Sequence, residues 1–335
     1  MKQRTKNRTP LETVSPLAAP YSLIIEPSSI CNSKCNFCPT GDYSLMKSVG
    51  RTQEFMSMDL FHKIVNDISQ LDEKIRVVVL QGDGEPLLHK DIVEMVRVLK
   101  NDYKCNHVEL TTNAINLSPE ISRGLLSVGL DKIKISVNGL NANDYKVNCG
   151  IDINFEQLKD NIRYMYEQSR TEGNCEIYVK SIDFLLKTDE QKSKFHEIFE
   201  PIASYCGIEH SLNWTANHIR DFSYENNKTT FDGHPIVAGE VCPYPLWFSY
   251  IGSNGNVGCC NNDWTHSTVY GNVNEKCYKD IWLGKELYDF RMMILDGKEN
   301  SHTACGNCSY RKCSLDNIDN VVDIIKQKLT KCIGR

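Results

Sequence analysis

The sequence predicts an α/β fold: an open, partial (β/α)6 barrel followed by a smaller domain of hairpin and helices. Three observations carry this reading. Short, β-branched apolar runs alternate about six times with amphipathic stretches over residues 21–214, which implies βαβ units around a parallel sheet with right-handed crossovers. The alternation stops near residue 215, in a segment rich in Asn, His, Gly and Asp. Composition then shifts, and seven of the 15 cysteines fall between Cys242 and Cys313.

The elements follow in order. Residues 1–20 hold Lys2, Arg4, Lys6 and Arg8 and then Pro and Ser, and read as a disordered tail. Residues 21–26 read as a strand. Ser57 is an N-cap for a helix to about residue 71, with Leu60, Ile64 and Ile68 at helical spacing. Residues 75–80 are almost wholly apolar, as in a parallel strand buried on both faces. Helices are expected over 91–99, 119–128, 155–168 and 190–202. Strands are expected over 108–112, 132–137, 176–186 and 208–214. The barrel therefore spans 21–214, with 215–240 as a linker. In the second domain, 241–335, residues 247–251 and 256–260 flank the turn Ser253-Asn254-Gly255 and predict a β-hairpin. Helices follow over 280–295 and 319–329.

A formal net charge of -5 gives no broad electrostatic reason to bind nucleic acid or an anionic membrane. No apolar run is long enough to span a bilayer, and no apolar segment follows the N-terminal charges as in a secretory signal. These features predict a cytoplasmic protein with a small-molecule partner. Disulfides are rare in a reducing compartment. Fifteen cysteines then argue for metal binding, chemistry or packing.

Cys31, Cys35 and Cys38 lie on the loop directly after the first strand. In such sheets the active site sits at the carboxyl ends of the strands. A structural zinc site wants four protein ligands. Three thiols on a [4Fe–4S] cube leave one iron open to a chelating ligand. The segment Gly82-Asp83-Gly84-Glu85-Pro86 follows the second strand, where glycines admit close approach and a carboxylate accepts a bond from an ammonium. Thr111-Thr112-Asn113 and Ser136-Val137-Asn138 end the third and fourth strands with small polar side chains suited to hydroxyls or a carboxylate. Cys242, Cys260, Cys305 and Cys308 make a second group, able to close on zinc or on a fully ligated cluster. A hairpin alternates its faces, so only one of Cys259 and Cys260 should point at the metal, and Cys260 is taken as the ligand.

The Cys-x3-Cys-x2-Cys spacing, with Phe37 before its last cysteine, resembles the radical S-adenosylmethionine (radical SAM) superfamily. The resemblance implies a partial (β/α)6 TIM-like barrel. It also implies a [4Fe–4S] cluster on Cys31, Cys35 and Cys38, and S-adenosyl-L-methionine cleaved to a 5′-deoxyadenosyl radical. Gly82, Gly84 and Glu85 resemble the family's methionine-binding motif, with Asp83 as a departure. Phe37, Thr112, Asn113, Ser136 and Asn138 resemble further cofactor contacts. Residues 242–308 resemble the SPASM and twitch auxiliary-cluster domains, on Cys242-Pro243, Gly255, Gly271-Asn272, Asp280-Ile281-Trp282 and Cys305-x2-Cys308. No partner cysteine follows shortly after Cys313, which favours the one-cluster twitch form, as in 2-deoxy-scyllo-inosamine dehydrogenase-type enzymes. Cys105, Cys149, Cys175, Cys206 and Cys277 have no partner spacing and read as packing residues.

The resemblance implies an oxidoreductase acting on a small polar substrate, a carbohydrate or aminocyclitol alcohol, with an auxiliary [4Fe–4S] cluster as electron acceptor and a flavodoxin or ferredoxin as reductant. A peptide-modifying or sugar-epimerising SPASM enzyme is the alternative within the family. A zinc-stapled binding protein is the alternative outside it. No acid or base is assigned: Lys180, Trp214, His218 and Arg220 read equally well as surface or linker residues.

Overall fold

The computed structural model describes residues 9–210, 239–298, 302–306, 308, 314 and 316–333. The expected linker 215–240, apart from its last two residues, lies outside the described residues, as do Trp214, His218, Arg220 and Cys313.

Six parallel strands form the first part: β1 (Ser22–Ile25), β2 (Val77–Leu80), β3 (Val108–Thr112), β4 (Lys132–Ser136), β5 (Glu176–Ile182) and β6 (Tyr205–Glu209). They lie in the order β6-β5-β4-β3-β2-β1, each parallel to its neighbour. The helices up to β6 are α1 (Leu11–Val14), α2 (Tyr43–Ser48), α3 (Met58–Ile68), α4 (Ile92–Arg97), α5 (Pro119–Ser127), α6 (Ala142–Cys149), α7 (Phe155–Thr171) and α8 (Asp189–Phe199). Their starts follow from local chemistry. Ser57, Ser118, Asn141 and Asn154 each accept a backbone N–H three residues on, and Thr188 forms a capping box with Gln191.

Strand alternation divides the sheet. Leu23, Ile25, Val78, Leu80, Leu110, Ile133, Ile135 and Val179 face the helices and join Phe61, Ile64, Met95, Leu125, Ile162 and Phe195 in one core. Each such side chain contributes roughly 1.5–3 kcal/mol on burial. The opposite, inner face is apolar only around Ile24, Val79, Phe248 and Tyr250. Over β3 to β6 it is charged.

The C-terminal part continues the same sheet rather than starting a new one. β7 (Phe248–Ile251) pairs parallel with β1, then β8 (Asn256–Gly258) and β9 (Val269–Asn272) add antiparallel. The sheet is nine-stranded and open, with β6 and β9 at its ends. It is a mixed α/β architecture of the partial-barrel kind expected.

Several expectations need correction. Residues 9–20 of the expected tail pack against the fold. Leu11 and Leu17 are buried, and the Trp282 indole donates to the Leu17 carbonyl at 3.0 Å. That partner is more than 260 positions away in sequence, so local composition could not report it. The sixth strand, Tyr205–Glu209, starts three residues before the expected 208, and residues 211–214 of the expected strand lie outside the described residues. The helix expected over 280–295 is two, α9 (Tyr278–Trp282) and α10 (Lys285–Leu295), because Gly284 is extended and caps the second. β9, α2 and α6 were not predicted. α11 (Val322–Ile333) closes the chain and buries Ile325 and Leu329.

Candidate active site

The loop after β1 carries Cys31, Cys35 and Cys38, and its backbone is held from two sides. The Lys34 and Asn36 N–H groups donate to the Cys149 and Asn148 carbonyls at 2.7 and 2.9 Å, at the end of α6. Helix ends leave their last carbonyls without intrahelical partners, and here the cysteine loop supplies the donors. On the other side Gly84 N–H donates to Ser28 O at 3.1 Å and Glu85 N–H to Ile30 O at 2.8 Å. A Cβ on Gly84 would stand 2.3 Å from Ser28 O, and one on Gly82 2.3 Å from the Glu26 side chain. Both glycines were expected to admit a ligand. A side chain at either position is excluded by the chain leading into the cysteine loop and by Glu26.

The three thiols lie within reach of one another's charge. Burial pushes Cys31 up to about 12. Contact with the Cys149 thiol, and then burial, raise Cys35. Burial raises Cys38, and the charge of Asp83 adds to it. The Asn138 amide donates to Cys35 Sγ at 3.8 Å. Cys149, expected only to pack, is buried as expected but touches Cys35 as well. Thiols that resist ionisation in water-free surroundings lose their protons when a metal replaces them.

Beside this loop Glu85 is 3% exposed. Its Oε1 accepts from Thr112 Oγ1 at 2.5 Å and from Leu87 N–H at 2.9 Å. Its Oε2 accepts from Asn113 N–H at 2.7 Å. Burial still raises its pKa. Two carboxylate oxygens offer about four lone-pair sites, so the three bonds leave room for one further donor. Asn113 reaches Asn32, next to Cys31, at 2.7 Å, and Asn32 reaches Asn116 at 2.8 Å. Phe37 packs edge-on against Phe184, just past β5, with centroids 5.2 Å apart. Thr112, Asn113, Asn138, Phe37, Gly82, Gly84 and Glu85 therefore gather around the cysteine loop. Ser136 ends β4 on the inner face, paired in register with Lys180.

Lys180 turns inward and bonds Glu209 at 2.7 Å. Lys134 pairs with Glu109 at 2.5 Å, Lys132 with Glu176 at 2.9 Å, and Thr111 donates to Gln81 at 2.7 Å. These residues share the inner face of the sheet across β2 to β6.

A second buried cluster was missed. Glu26 is fully buried at the end of β1. It accepts from Asp83 N–H at 2.8 Å and from the Ser253 N–H and hydroxyl at 2.9 and 3.0 Å. Arg51 bonds Asp83 and the Trp264 carbonyl, and His266 Nε2 stands 3.4 Å from Asp83. His266 has φ 51°, uncommon outside glycine. Asp83, set aside as a departure from the family motif, is the centre of this clasp. It joins the Gly82–Glu85 loop to the C-terminal part.

There Cys308, Cys259 and Cys242 are close enough for their charge to act on Cys260, and Cys242 and Cys305 act on Cys259. Burial raises both adjacent thiols well above the usual range. The Asn262 N–H donates to Cys260 Sγ at 3.4 Å, and Cys259 Sγ bonds the Tyr270 hydroxyl at 2.7 Å. Both cysteines lie just past β8, which ends at Gly258, and their hydrogen-bond partners differ. Among the described residues no three His, Cys, Asp or Glu side chains form a group that could hold a single metal ion.

Residues 25–180 match the radical SAM superfamily, and residues 242–309 match the SPASM iron-sulfur cluster-binding domain. A probable GTP 3′,8-cyclase of Methanococcus vannielii is 34% identical over 145 residues, covering 42% of this chain and 43% of that relative. GTP 3′,8-cyclase of Psychromonas ingrahamii is 29% identical over 241 residues, 64% of this chain and 66% of the relative. The chain spans less than half the length of the Methanococcus and Klebsiella relatives it matches. Among solved structures, BtrN in complex with AdoMet and 2-DOIA shares the fold at TM-score 0.54 and 19% identity, over 88% of this chain and 96% of that one. Streptococcus suis SuiB bound to S-adenosylmethionine does so at TM-score 0.64 and 18% identity, over 94% and 76%.

Proposed function

From a chain that carries a radical SAM domain followed by a SPASM domain, we propose that it oxidises an alcohol of a small polar substrate, a carbohydrate or aminocyclitol. The two domains imply a [4Fe–4S] cluster with S-adenosyl-L-methionine and an auxiliary iron–sulfur centre. When bound, these supply a 5′-deoxyadenosyl radical at one site and a one-electron acceptor at the other.

In this reading Cys31, Cys35 and Cys38 hold the first cluster, and the fourth acceptor position of Glu85 takes the methionine ammonium. Thr112 and the Asn113 N–H fix the Glu85 carboxylate for that bond. Asn138 donates to the Cys35 sulfur, and Phe37 with Phe184 walls off the cofactor. Cys242, Cys260, Cys305 and Cys308 hold the auxiliary centre. A secondary alcohol gives up one hydrogen atom, one proton and one electron to become a ketone, which matches one open and one closed site. A flavodoxin or ferredoxin supplies the initiating electron.

The single observation that carries the reading is the division of the thiols. Three sit at the carboxyl ends of the parallel strands beside a buried carboxylate, and a separate set gathers past β7. The inner face favours the substrate class. Lys132, Lys134 and Lys180 each pair with a glutamate. Such balance suits a neutral or zwitterionic polar molecule better than a nucleoside triphosphate, which calls for unpaired cations.

Anaerobically reconstituted protein given dithionite and S-adenosyl-L-methionine is expected to form 5′-deoxyadenosine. Absence of that product, with no cluster absorbance, rejects the reading. Alcohols deuterated at the carbinol carbon identify the substrate by transfer of deuterium into 5′-deoxyadenosine; transfer from GTP instead would overturn the alcohol assignment. Glu85→Gln turns an amide N–H toward donors, a mismatch of about 1–3 kcal/mol. The variant is expected to bind S-adenosyl-L-methionine at least about tenfold more weakly by anaerobic equilibrium dialysis.

A further inference from the structure

α10 buries a cation that forms no ion pair among the described residues. Arg291 is 5% exposed. Its Nε donates to the Pro245 carbonyl at 2.9 Å and its Nη1 to the Trp282 carbonyl at 3.3 Å. The guanidinium lies 4.3 Å from the centroid of the Trp282 ring. Its Nη2 is buried and has no hydrogen-bond partner among the described residues. Neither carbonyl carries a compensating charge. A buried cation without a counter-charge is costly, and an orphaned buried N–H in a native fold calls for an explanation.

The surroundings supply one. Pro245 lies three positions after Cys242. The groups that feel the charge of Arg291 are Cys259, Tyr278 and Tyr270, and Cys259 in turn feels Cys242 and Cys305. The guanidinium thus stands beside Cys259, the chain neighbour of Cys260, at the edge of the second thiol group. A centre held by four thiolates carries net negative charge, and reduction adds one unit more. A fixed cation in a medium of low dielectric constant favours the reduced form, and hydrogen bonds to the sulfurs act in the same direction. Arginine suits this position because it stays charged and is weakly hydrated.

We propose that Arg291 is the counter-cation of the auxiliary iron–sulfur centre, its Nη2 donating to a cluster sulfur and raising the reduction potential so that the centre accepts the substrate's electron. The proposal rests on the alcohol-oxidation reading above. In that step the substrate radical is oxidised by one electron as its hydroxyl proton leaves to solvent, and the centre is reduced by one. Arg291 touches neither substrate nor S-adenosyl-L-methionine and acts by setting the acceptor's potential.

The test compares Arg291→Gln with Arg291→Lys in the full, reconstituted chain, by iron counting and by a potentiometric titration followed by electron paramagnetic resonance. Both variants lose the guanidinium fork, so the contrast between them reports the charge. Arg291→Gln is expected to lower the auxiliary midpoint by about 59 mV or more, tenfold in the equilibrium constant of a one-electron couple. Arg291→Lys is expected to keep most of the wild-type value, and the N-terminal cluster should not move in either. Loss of the auxiliary irons in Arg291→Gln alone also supports the proposal. An unmoved potential at full iron content overturns it, and so does equal loss of iron in both variants. Wild-type protein holding only one cluster would overturn the acceptor reading first, and this proposal with it.

Discussion

Replacing Cys31, Cys35 and Cys38 together by alanine is expected to remove about four irons, one cubane, and to abolish 5′-deoxyadenosine formation. The remaining iron and the melting temperature should change little. The effect on chemistry is complete because, in the proposed reading, every electron entering the cofactor passes through that site. The effect on stability is small because the loop is held by backbone, not by sulfur. Lys34 and Asn36 bond the end of α6, and Gly84 and Glu85 bond Ser28 and Ile30. All three cysteines are replaced for a reason. The Cys149 thiol touches Cys35, so Cys35→Ala alone leaves a substitute ligand in place. Iron analysis and product quantitation check the prediction, and persistent cofactor cleavage by the triple variant would reject the site.

The sequence carried the barrel because its signals are local. β-branched runs such as Val77–Leu80 and capping residues such as Ser57 and Ser118 act within a few positions. The Cys31 loop and the Gly84-Glu85 turn were legible for the same reason. What was missed depends on distant partners. The segment around Leu11 is ordered by Trp282 and α11, and β9 is a strand only because β8 offers an edge. Glu26 was read as the end of a strand, yet its bonds run to Asp83 and to Ser253, 227 positions on. Asp83 looked like a fault in a motif until Arg51 and His266 gave it a role. Arg291 has no signal in sequence at all. An arginine on a predicted helix reads as solvent-facing, and only the fold puts it under Trp282.

Arg51→Ala should be among the most destabilising single substitutions in this chain. Arg51 stands between Glu26 and Asp83, with side-chain exposures of 7%, 1% and 8% respectively. Removing it leaves two buried carboxylates facing each other, with His266 alone beside Asp83. Breaking a buried pair from one side costs about 3–5 kcal/mol. At roughly 2–4 °C per kcal/mol for a large domain, the melting temperature should fall by on the order of 10 °C. Acid dependence follows with a definite sign. Burial opposes ionisation of Asp83, but the bond from His266 and the charge of Arg51 outweigh it and hold its carboxyl below the usual range. A carboxyl depressed in the folded state stabilises the fold above its unfolded pKa of about 3.9. That contribution fades as pH falls through the lower folded value. Without Arg51 the depression shrinks, so the variant's acid unfolding should begin at higher pH than that of the wild type. The Arg51→Ala/Asp83→Asn double variant then discriminates. If Arg51 acts by neutralising Asp83, the second change removes an uncompensated charge and restores part of the loss, a coupling of about 0.5–3 kcal/mol. Thermal melts from pH 7 to pH 2 read both effects. Strict additivity, or a loss below about 1 kcal/mol for Arg51→Ala, would mean that the junction between the Gly82–Glu85 loop and the C-terminal cysteines is held by packing instead of by charge.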